Sequence, residues 1–189
     1  MKIPPFETLL RQALKEDAVR KDLSSRLSVP LRARSRAQLL SREPGVAAGL
    51  PIFAAAFKAL DPRVQVHLLK KDGQHFGRGE RLVLLEGASR GMLAAERTAL
   101  NFVQQLSGVA SLTAAYVAAA RGSHSKILDT RKTVQGLRQL QKYAVLCGGG
   151  TNHRMDLGAA ILLKDNHLRL CGGSPAEAIR RCRRGAPDT

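Results

Sequence analysis

Cationic side chains follow two short apolar runs in the second half of the chain, at the point where each run ends. Residues 127–128 lead into Asp-Thr-Arg-Lys at 129–132, and residues 159–163 lead into Lys-Asp-Asn-His at 164–167. A third polar group, Asn-His-Arg at 152–154, follows a triple glycine between the two runs. The cationic positions are Arg131, Lys132, Arg154 and Lys164. Guanidinium and ammonium groups bind carboxylates and phosphates, so the pattern predicts a site for an anion with several negative groups.

The two apolar runs are predicted to be buried parallel strands, each followed by a helix. Both runs are short and show little polar alternation, which is typical of βα units. Polar residues at the carboxyl ends of such strands meet on one rim, so the cationic groups are expected to converge there. We therefore expect Ile127-Leu128 and Ile161–Leu163 to be neighbouring parallel strands. Two parallel strands cannot close a barrel, so either another chain supplies further strands or the sequence is a fragment.

The first half of the chain mixes helices with antiparallel strands, which predicts an α+β domain. Helices are expected from about Phe6 to Leu14 and from Pro51 to Leu60, because apolar residues recur there at helical spacing. A polar loop is expected at 17–25. Strands are expected at 35–40, 64–68 and 81–85.

Two long helices are predicted next, at 89–106 and 109–120, separated by Ser107-Gly108. This break marks a predicted domain boundary, which gives domains 1–109 and 110–189. Arg97, Asn101 and Gln104 form a polar stripe on the first of these helices. On spacing alone, the stripe is either a solvated face or part of a site. The last helix is predicted to begin after the capping residue Ser174 and to end at Gly185.

The composition indicates a globular protein and argues against two other classes. The 189 residues are 44% apolar and are enough for one large domain or two small ones. The net charge is +16, but the basic residues are spread along the chain and only 4% of residues are aromatic, so no nucleic-acid partner is expected. The longest apolar run, 46–57, is too short to cross a membrane, and the start lacks a signal peptide, so a cytoplasmic location is expected. The three cysteines have no CxxC spacing, and no metal ligand is predicted in this chain.

Four segments, taken in their order and spacing, resemble the quinolinate phosphoribosyltransferase family, also called the carboxylating nicotinate-nucleotide pyrophosphorylases. The segments are Glu96–Asn101 with Leu106–Ala110, Leu128–Thr133, Lys142–Val145 with Gly148–Arg154, and Leu163–His167. Each segment alone is modest, whereas the ordered set is specific, and the resemblance runs from about Leu9 to the end of the chain. The departures are Gln135, where proline is usual, and Ser24 and Ser111, where threonine is usual. None of them is a predicted catalytic residue.

The resemblance implies both a fold and a reaction. The fold would be α/β, with an α+β N-terminal domain followed by the opening portion of an incomplete TIM-like barrel. Family members join quinolinate to phosphoribosyl pyrophosphate, giving nicotinate mononucleotide, pyrophosphate and CO2, with Mg2+ accompanying the pyrophosphate. The family's metal-binding carboxylates and glycine-rich phosphate loops are expected beyond Thr189. This chain is therefore expected to carry the substrate half of a site, and its activity alone is left open.

The same resemblance assigns roles to residues of this chain. The residues implied to line the quinolinate pocket are Arg97, Thr130, Arg131, His153 and Arg154. Lys132 and Lys164 suit a phosphate, the pyrophosphate or a carboxylate as point charges. The candidate catalytic residues are Lys132, His153 and Lys164, and no single residue is assigned to the decarboxylation. Family active sites form between the barrel of one subunit and the N-terminal domain of its neighbour, so a homodimer is expected in which Arg97 serves the other chain.

Two alternatives to this enzyme stay open at the level of the sequence. One is the molybdenum-transport-associated paralogue of the same fold, which binding of quinolinate would separate from the enzyme. The other is a non-catalytic remnant or assembly subunit, which formation of nicotinate mononucleotide would eliminate. Taken one at a time, the cationic residues could also be ordinary surface charges.

Overall fold

The computed structural model describes residues 2–186, which form two compact units. In this part of the chain, the first unit contains residues 2–129 and 133–152, and the second contains residues 130–132 and 153–186. The chain therefore passes between the units after residues 129, 132 and 152.

The first unit contains the predicted α+β arrangement. Its helices are α1 (Glu7–Glu16), α2 (Leu23–Ser28), α3 (Leu50–Leu60), α4 (Ser89–Ala119) and α5 (Arg138–Cys147), with a short 3-10 helix at Val19–Lys21. Its strands are β1 (Arg34–Leu40), β2 (Gly45–Val46), β3 (Gln65–Leu68), β4 (His75–Phe76) and β5 (Arg81–Ala88). The predicted helices at α1 and α3 and the predicted strands at β1, β3 and β5 are confirmed.

The polar loop predicted at 17–25 is wrong, because the 3-10 helix and the start of α2 occupy most of it. Asp22 caps α2, and its Oδ1 accepts a hydrogen bond from the main-chain nitrogen of Ser25 at 3.1 Å. This side chain satisfies one of the amide groups that a helix start leaves without a partner. A mostly polar segment can therefore form a helix where its aspartate is placed to cap one.

β5 is the central strand of a three-stranded antiparallel sheet in the order β1-β5-β3. Leu85 pairs with Ala37 on one side and with Val66 on the other. Val83 and Leu85 are buried, as expected for alternate residues of a half-buried strand. β2 and β4 form a separate antiparallel pair.

The core of the first unit lies where α3 and α4 pack against each other. An apolar stripe of α4 is buried in it; its members are Ala95, Ala99, Val103 and Leu106. The rings of Phe53 and Phe57 on α3 contribute to the same core, with their centroids 5.0 Å apart. Burying one side chain of the size of Leu106 or Phe53 contributes roughly 1.5–3 kcal/mol, so this helix pair is a principal source of stability.

The helix break predicted at Ser107-Gly108 is wrong, since α4 continues through it for a total of 31 residues. Ser107 faces the chain that follows β2: its Oγ accepts from the main-chain nitrogen of Ala48 at 3.1 Å and donates to the Ala48 oxygen at 3.2 Å. One turn further on, Ser111 Oγ accepts from the Val46 nitrogen at 2.8 Å. The two serines therefore satisfy main-chain groups of a neighbouring segment instead of ending the helix. The domain boundary after residue 109 stays a prediction.

The pairing predicted for Ile127-Leu128 with Ile161–Leu163 is also wrong. Leu128 instead forms a parallel bridge with Thr151. The Thr151 nitrogen donates to the Ile127 oxygen at 2.8 Å, and the Asp129 nitrogen donates to the Thr151 oxygen at 3.1 Å. Residues 159–164, all within the described part of the chain, form no strand, and Ile161 is 44% exposed.

The triple glycine explains why Thr151 reaches Leu128. A Cβ atom at Gly148 would lie 2.3 Å from the main-chain oxygen of Ala110, so only glycine allows the chain to approach α4 this closely. Gly149 has a φ of +83°, which favours glycine and turns the chain away from α5. Residues 127–128 do form a parallel pairing, as predicted, but their partner is Thr151, directly after the glycines, and not residues 161–163.

The second unit carries α6 (Asp165–Leu170) and α7 (Pro175–Gly185). The predicted start of the last helix is confirmed: Ser174 Oγ accepts from the Glu177 nitrogen at 3.3 Å, and Pro175 is the first helical residue. The Glu177 carboxylate forms ion pairs with Arg180 at 2.9 Å and Arg181 at 2.8 Å. Across residues 2–186, none of the helices combines the length and the apolar character that crossing a membrane requires.

Candidate anion-binding site

The parallel bridge sets the direction of the two segments that carry the predicted site residues. Leu128 and Thr151 are paired, and Asp129 and Asn152 come next on the two parallel segments. Because the segments run the same way, Thr130 and His153 both follow the same end of this bridge. The predicted site residues of the second unit are Thr130, Arg131, Lys132, His153, Arg154 and Lys164. The structure therefore brings these six into one compact unit, while Arg97 belongs to the first unit.

Arg131 carries a buried hydrogen-bond donor of the kind that an anionic ligand could satisfy. It is half-buried, and its Nε is buried without a hydrogen-bond partner among the described residues. A buried donor without a partner costs roughly 1–3 kcal/mol, which an anionic ligand would remove. On the same segment, Thr130 Oγ1 accepts from the Lys132 nitrogen at 3.0 Å, a local bond that shapes the turn around Arg131.

Arg154 is also half-buried, and the loop after it holds its guanidinium. Its Nη1 donates to the main-chain oxygen of Ala160 at 2.7 Å. Asp156 Oδ1 accepts from the nitrogens of Gly158 at 2.9 Å and Ala159 at 3.0 Å, which closes the loop between them. One guanidinium nitrogen of Arg154 is thus used within the loop, and such a fork has further donors for a ligand.

Lys132, His153 and Lys164 are exposed. Lys164 is the residue before α6, and its main-chain nitrogen donates to Nδ1 of His167 at 3.1 Å. Its ammonium group is therefore carried on an ordered helix start. An exposed lysine side chain can meet a phosphate or carboxylate as a point charge.

Arg97 lies on α4 and is exposed, as are Asn101 and Gln104 of the same polar stripe. Exposure is expected both for a solvated face and for residues that reach a second chain, so the two interpretations of the stripe remain alternatives. The placement does show that Arg97 is presented by a long, well-packed helix.

Sequence reasoning missed a buried polar cluster in the first unit, which includes the residues that directly precede Thr130 and His153 in the chain. Lys142 on α5 forms an ion pair with Asp129, and their side chains are only 1% and 5% exposed. Asn152 joins them: its amide nitrogen donates to Asp129 Oδ2 at 2.7 Å and to the Lys142 main-chain oxygen at 3.0 Å in the amide orientation that satisfies both. Lys142 belongs to a segment that carried the family resemblance, and that membership was the only signal available.

A second buried cluster connects α5 to the start of α3. Asp72 accepts hydrogen bonds from the main-chain nitrogens of Gly49 at 2.9 Å and Leu50 at 3.0 Å, and from the Tyr143 hydroxyl at 2.9 Å. Burial, together with the nearby Asp72 charge, raises the pKa of Tyr143, so its hydroxyl stays a donor. Burial also raises the pKa of Cys147 to about 11. The Tyr143 hydroxyl and the Cys147 thiol are therefore protonated at ordinary pH, and the cluster lies outside the predicted site.

The described residues do not supply a metal site of their own. Among residues 2–186, no group of three or more histidine, cysteine or acidic side chains is placed to hold a metal ion. The Mg2+ expected from the family resemblance therefore stays a prediction, and no chemical step is assigned through it here.

The structure thus joins an α+β unit to a unit that carries six of the predicted site residues. Comparison with known proteins specifies the family. The description "Quinolinate phosphoribosyl transferase, N-terminal domain" matches residues 22–107, and the corresponding C-terminal domain matches residues 109–189. The chain belongs to the quinolinate phosphoribosyltransferase family.

Its relatives are similar over nearly the whole of this chain. Nicotinate-nucleotide pyrophosphorylase [carboxylating] of Mycobacterium leprae is 43% identical over 95% of the chain, and a probable enzyme of the same name from Bacillus subtilis is 41% identical over 96%. The crystal structure of NadC from Streptococcus pyogenes is 40% identical and superposes over 100% of this chain with a TM-score of 0.92. This chain covers 64% and 62% of the two curated relatives and 67% of the solved one. The predicted fold class is confirmed: an α+β N-terminal part followed by part of the family's α/β C-terminal domain.

Proposed function

We propose that this chain takes part in phosphoribosyl transfer to quinolinate, with decarboxylation to nicotinate mononucleotide. The observation that carries the proposal is the half-buried Arg131, whose Nε has no partner among the described residues, in one unit with Arg154 and two lysines. The names of the relatives, carboxylating nicotinate-nucleotide pyrophosphorylases, support it further. Family membership and an arginine poised for an anion point to the same ligand.

Quinolinate carries two adjacent carboxylates on a flat pyridine ring, and planar arginine forks bind carboxylates with two parallel hydrogen bonds. We assign the carboxylates to Arg131 and Arg154, with Thr130 and His153 beside them. Lys132 and Lys164 are assigned to the phosphate, the pyrophosphate or a carboxylate. In this proposal the second unit recognises charge on both substrates.

The chemistry needs positioning more than a strong acid or base. The ring nitrogen attacks the anomeric carbon of the ribose while the bond to pyrophosphate breaks, and pyrophosphate leaves with the electron pair. The ring then carries a positive charge, which stabilises the electron pair left on the ring carbon when the neighbouring carboxylate departs as CO2. A proton then fills that position, and His153 or a lysine is the candidate donor. Fixed cations that hold both substrates lower the barrier through orientation and electrostatic stabilisation.

Mg2+ and a homodimer complete the proposal. When bound with the pyrophosphate, Mg2+ would neutralise charge on the leaving group. In a two-fold dimer, the same interface occurs twice and can build two sites. We assign Arg97 to the site of the neighbouring chain, because it is exposed on a helix of the other unit.

Calorimetric titration of quinolinate into the chain tests the ligand assignment. Arg131→Ala and Arg154→Ala should each weaken quinolinate binding by roughly 2–5 kcal/mol, because one fork of a charge-assisted pair is lost. That loss corresponds to about 30-fold to several thousand-fold in Kd. Arg183→Ala, which removes an exposed arginine of α7 outside the proposed pocket, is the matched control and should leave the Kd unchanged.

Two results of this titration would contradict the proposal. If both arginine variants weaken phosphoribosyl pyrophosphate binding as much as quinolinate binding, the arginines serve another ligand. If the wild-type chain binds no quinolinate, the molybdenum-associated paralogue or a non-catalytic role is favoured instead. Formation of nicotinate mononucleotide from both substrates would eliminate the non-catalytic alternative.

Mixing two inactive variants tests the shared site. Arg97→Ala and Arg131→Ala each damage both sites of their own dimer, but a mixed dimer regains one intact site if Arg97 reaches across the interface. Restored nicotinate mononucleotide formation after subunit exchange is the expected result. A mixture that exchanges subunits and stays as inactive as its parents would mean that Arg97 serves its own chain.

A further inference from the structure

Lys142 joins the two points at which the chain leaves the first unit for the predicted site. Asp129, its ion-pair partner, directly precedes Thr130, while Asn152 directly precedes His153. Asn152 donates both to Asp129 Oδ2 at 2.7 Å and to the Lys142 main-chain oxygen at 3.0 Å. Lys142 on α5 is therefore bonded to the first exit through its ammonium group and to the second through its main-chain oxygen.

A parallel bridge between Leu128 and Thr151 also joins the two segments just before the exits, with main-chain hydrogen bonds of 2.8 and 3.1 Å. A slip of one residue along a strand turns its side chains to the opposite face. A slip here would move Arg131 relative to Arg154, so register is the property that the site depends on.

A buried ion pair is a weak source of net stability, because the cost of removing two charges from water offsets most of their attraction. Its hydrogen bonds are directional, however. A cluster in which each polar group has a partner therefore favours one pairing of the two segments over alternative pairings. The Lys142 cluster is buried almost completely, with 1% and 5% of the paired side chains exposed. The cluster is thus suited to fixing the register between the two segments that contain Leu128 and Thr151.

We propose that Lys142 is a positioning residue, which keeps the Thr130–Lys132 and His153-Arg154 segments in register through Asp129 and Asn152. The ligand in this inference rests on the proposed function, since it takes quinolinate as the molecule that both segments bind. The claim that Lys142 fixes the register of the two segments does not depend on that ligand. Lys142 itself has no role in contacting the substrate.

Three variants of the 189-residue chain separate positioning from stability. Lys142→Met leaves the Asp129 carboxylate buried without its ammonium, whereas Lys142→Met with Asp129→Leu replaces the pair by apolar side chains. Tyr143→Phe is the matched control, because it removes a buried hydroxyl from the same helix that donates to Asp72 at 2.9 Å and not to Asp129. Urea denaturation, quinolinate titration and amide hydrogen exchange are measured for each.

The expected result is local. In both Lys142 variants, amides of residues 129–132 and 151–154 exchange at least about tenfold faster relative to the amides of β5 in the same sample. Quinolinate Kd rises at least about tenfold in both, including the double variant, whose unfolding midpoint returns toward that of the wild type. Tyr143→Phe leaves the exchange of these segments and the Kd as they are in the wild type.

The inference is overturned if the double variant keeps both the exchange rates and the quinolinate Kd of the wild type, because the pair then contributes stability alone. A failure of the proposed function looks different. In that case the wild-type chain binds no quinolinate, while the exchange comparison still decides whether Lys142 fixes the two segments.

Discussion

Replacing Gly108 by alanine should stabilise the chain by about 1 kcal/mol, because the structure places this residue in the interior of a continuous helix. Glycine is roughly 0.8–1.0 kcal/mol less favourable than alanine at such positions. Gly108 is exposed, and a Cβ atom there would meet no heavy atom within 4 Å, so no packing cost opposes the gain. The expected value is therefore nearly the full propensity difference.

Urea denaturation measures this change as a higher midpoint with an unchanged slope. In a thermal scan, 1 kcal/mol corresponds to a rise of about 2–4 °C for a chain of this size. Gly91→Ala in the first turn of α4 is the control, since its Cβ would lie an ordinary 3.8 Å from Asp61 and both accounts of the helix place it inside. If Gly108→Ala destabilises the chain while Gly91→Ala does not, the helix ends at Ser107-Gly108 and the continuous α4 is refuted.

Three further outcomes follow from individual contacts. Gly148→Ala should destabilise the chain by roughly 1–3 kcal/mol, since its Cβ would lie 2.3 Å from the Ala110 main-chain oxygen. Urea denaturation measures this change, and an unchanged free energy of unfolding would contradict the close approach. Cys147 should react with a maleimide only as the chain unfolds, because its thiol is buried and the pKa of that thiol is raised to about 11. Mass spectrometry of the native chain after maleimide treatment checks this, and a modified Cys147 would contradict it. The bond with Lys70 holds the pKa of Glu80 below its ordinary value of 4.5, so this stabilisation is present above that value and is lost as pH falls through the lower folded pKa. Glu80→Gln should therefore flatten the acid side of the stability profile, and a profile identical to that of the wild type would count against the ion pair.

Local signals in the sequence predicted much of the fold. Helical spacing identified α1 and α3, alternation identified β3, and a serine followed by a proline identified the start of α7. Each of these signals acts within a few residues, so no distant partner is needed to interpret it. The failures concern partners. Ser107 was interpreted as a break because its hydrogen-bonding partner, Ala48, lies far away in the sequence.

Part of the grouping of the candidate site residues was predictable too. Residue types and their positions in the polar clusters indicated four cationic residues, Arg131, Lys132, Arg154 and Lys164, and these four do lie in one compact unit. The apolar run at 159–163 was assigned to a buried strand, yet Ile161 is 44% exposed, because burial depends on what covers a segment and not on its own composition. The burial of Lys142 could not be predicted for the opposite reason: a lysine on a helix is ordinarily a surface residue, and here it forms an ion pair with the buried carboxylate of Asp129.

The continuity of α4 has a consequence for dissecting this chain by genetics or proteolysis. The two family matches meet between residues 107 and 109, which lies inside a helix about 46 Å long at 1.5 Å per residue. A cut there would leave four amide and four carbonyl groups without helical partners on the two new ends, and would remove Ala110 from beneath Gly148. Exposed residues 121–126, after the helix, are a better place to open the chain. The border between the two family domains, at residues 107–109, therefore differs from the place where the chain can best be cut, at residues 121–126.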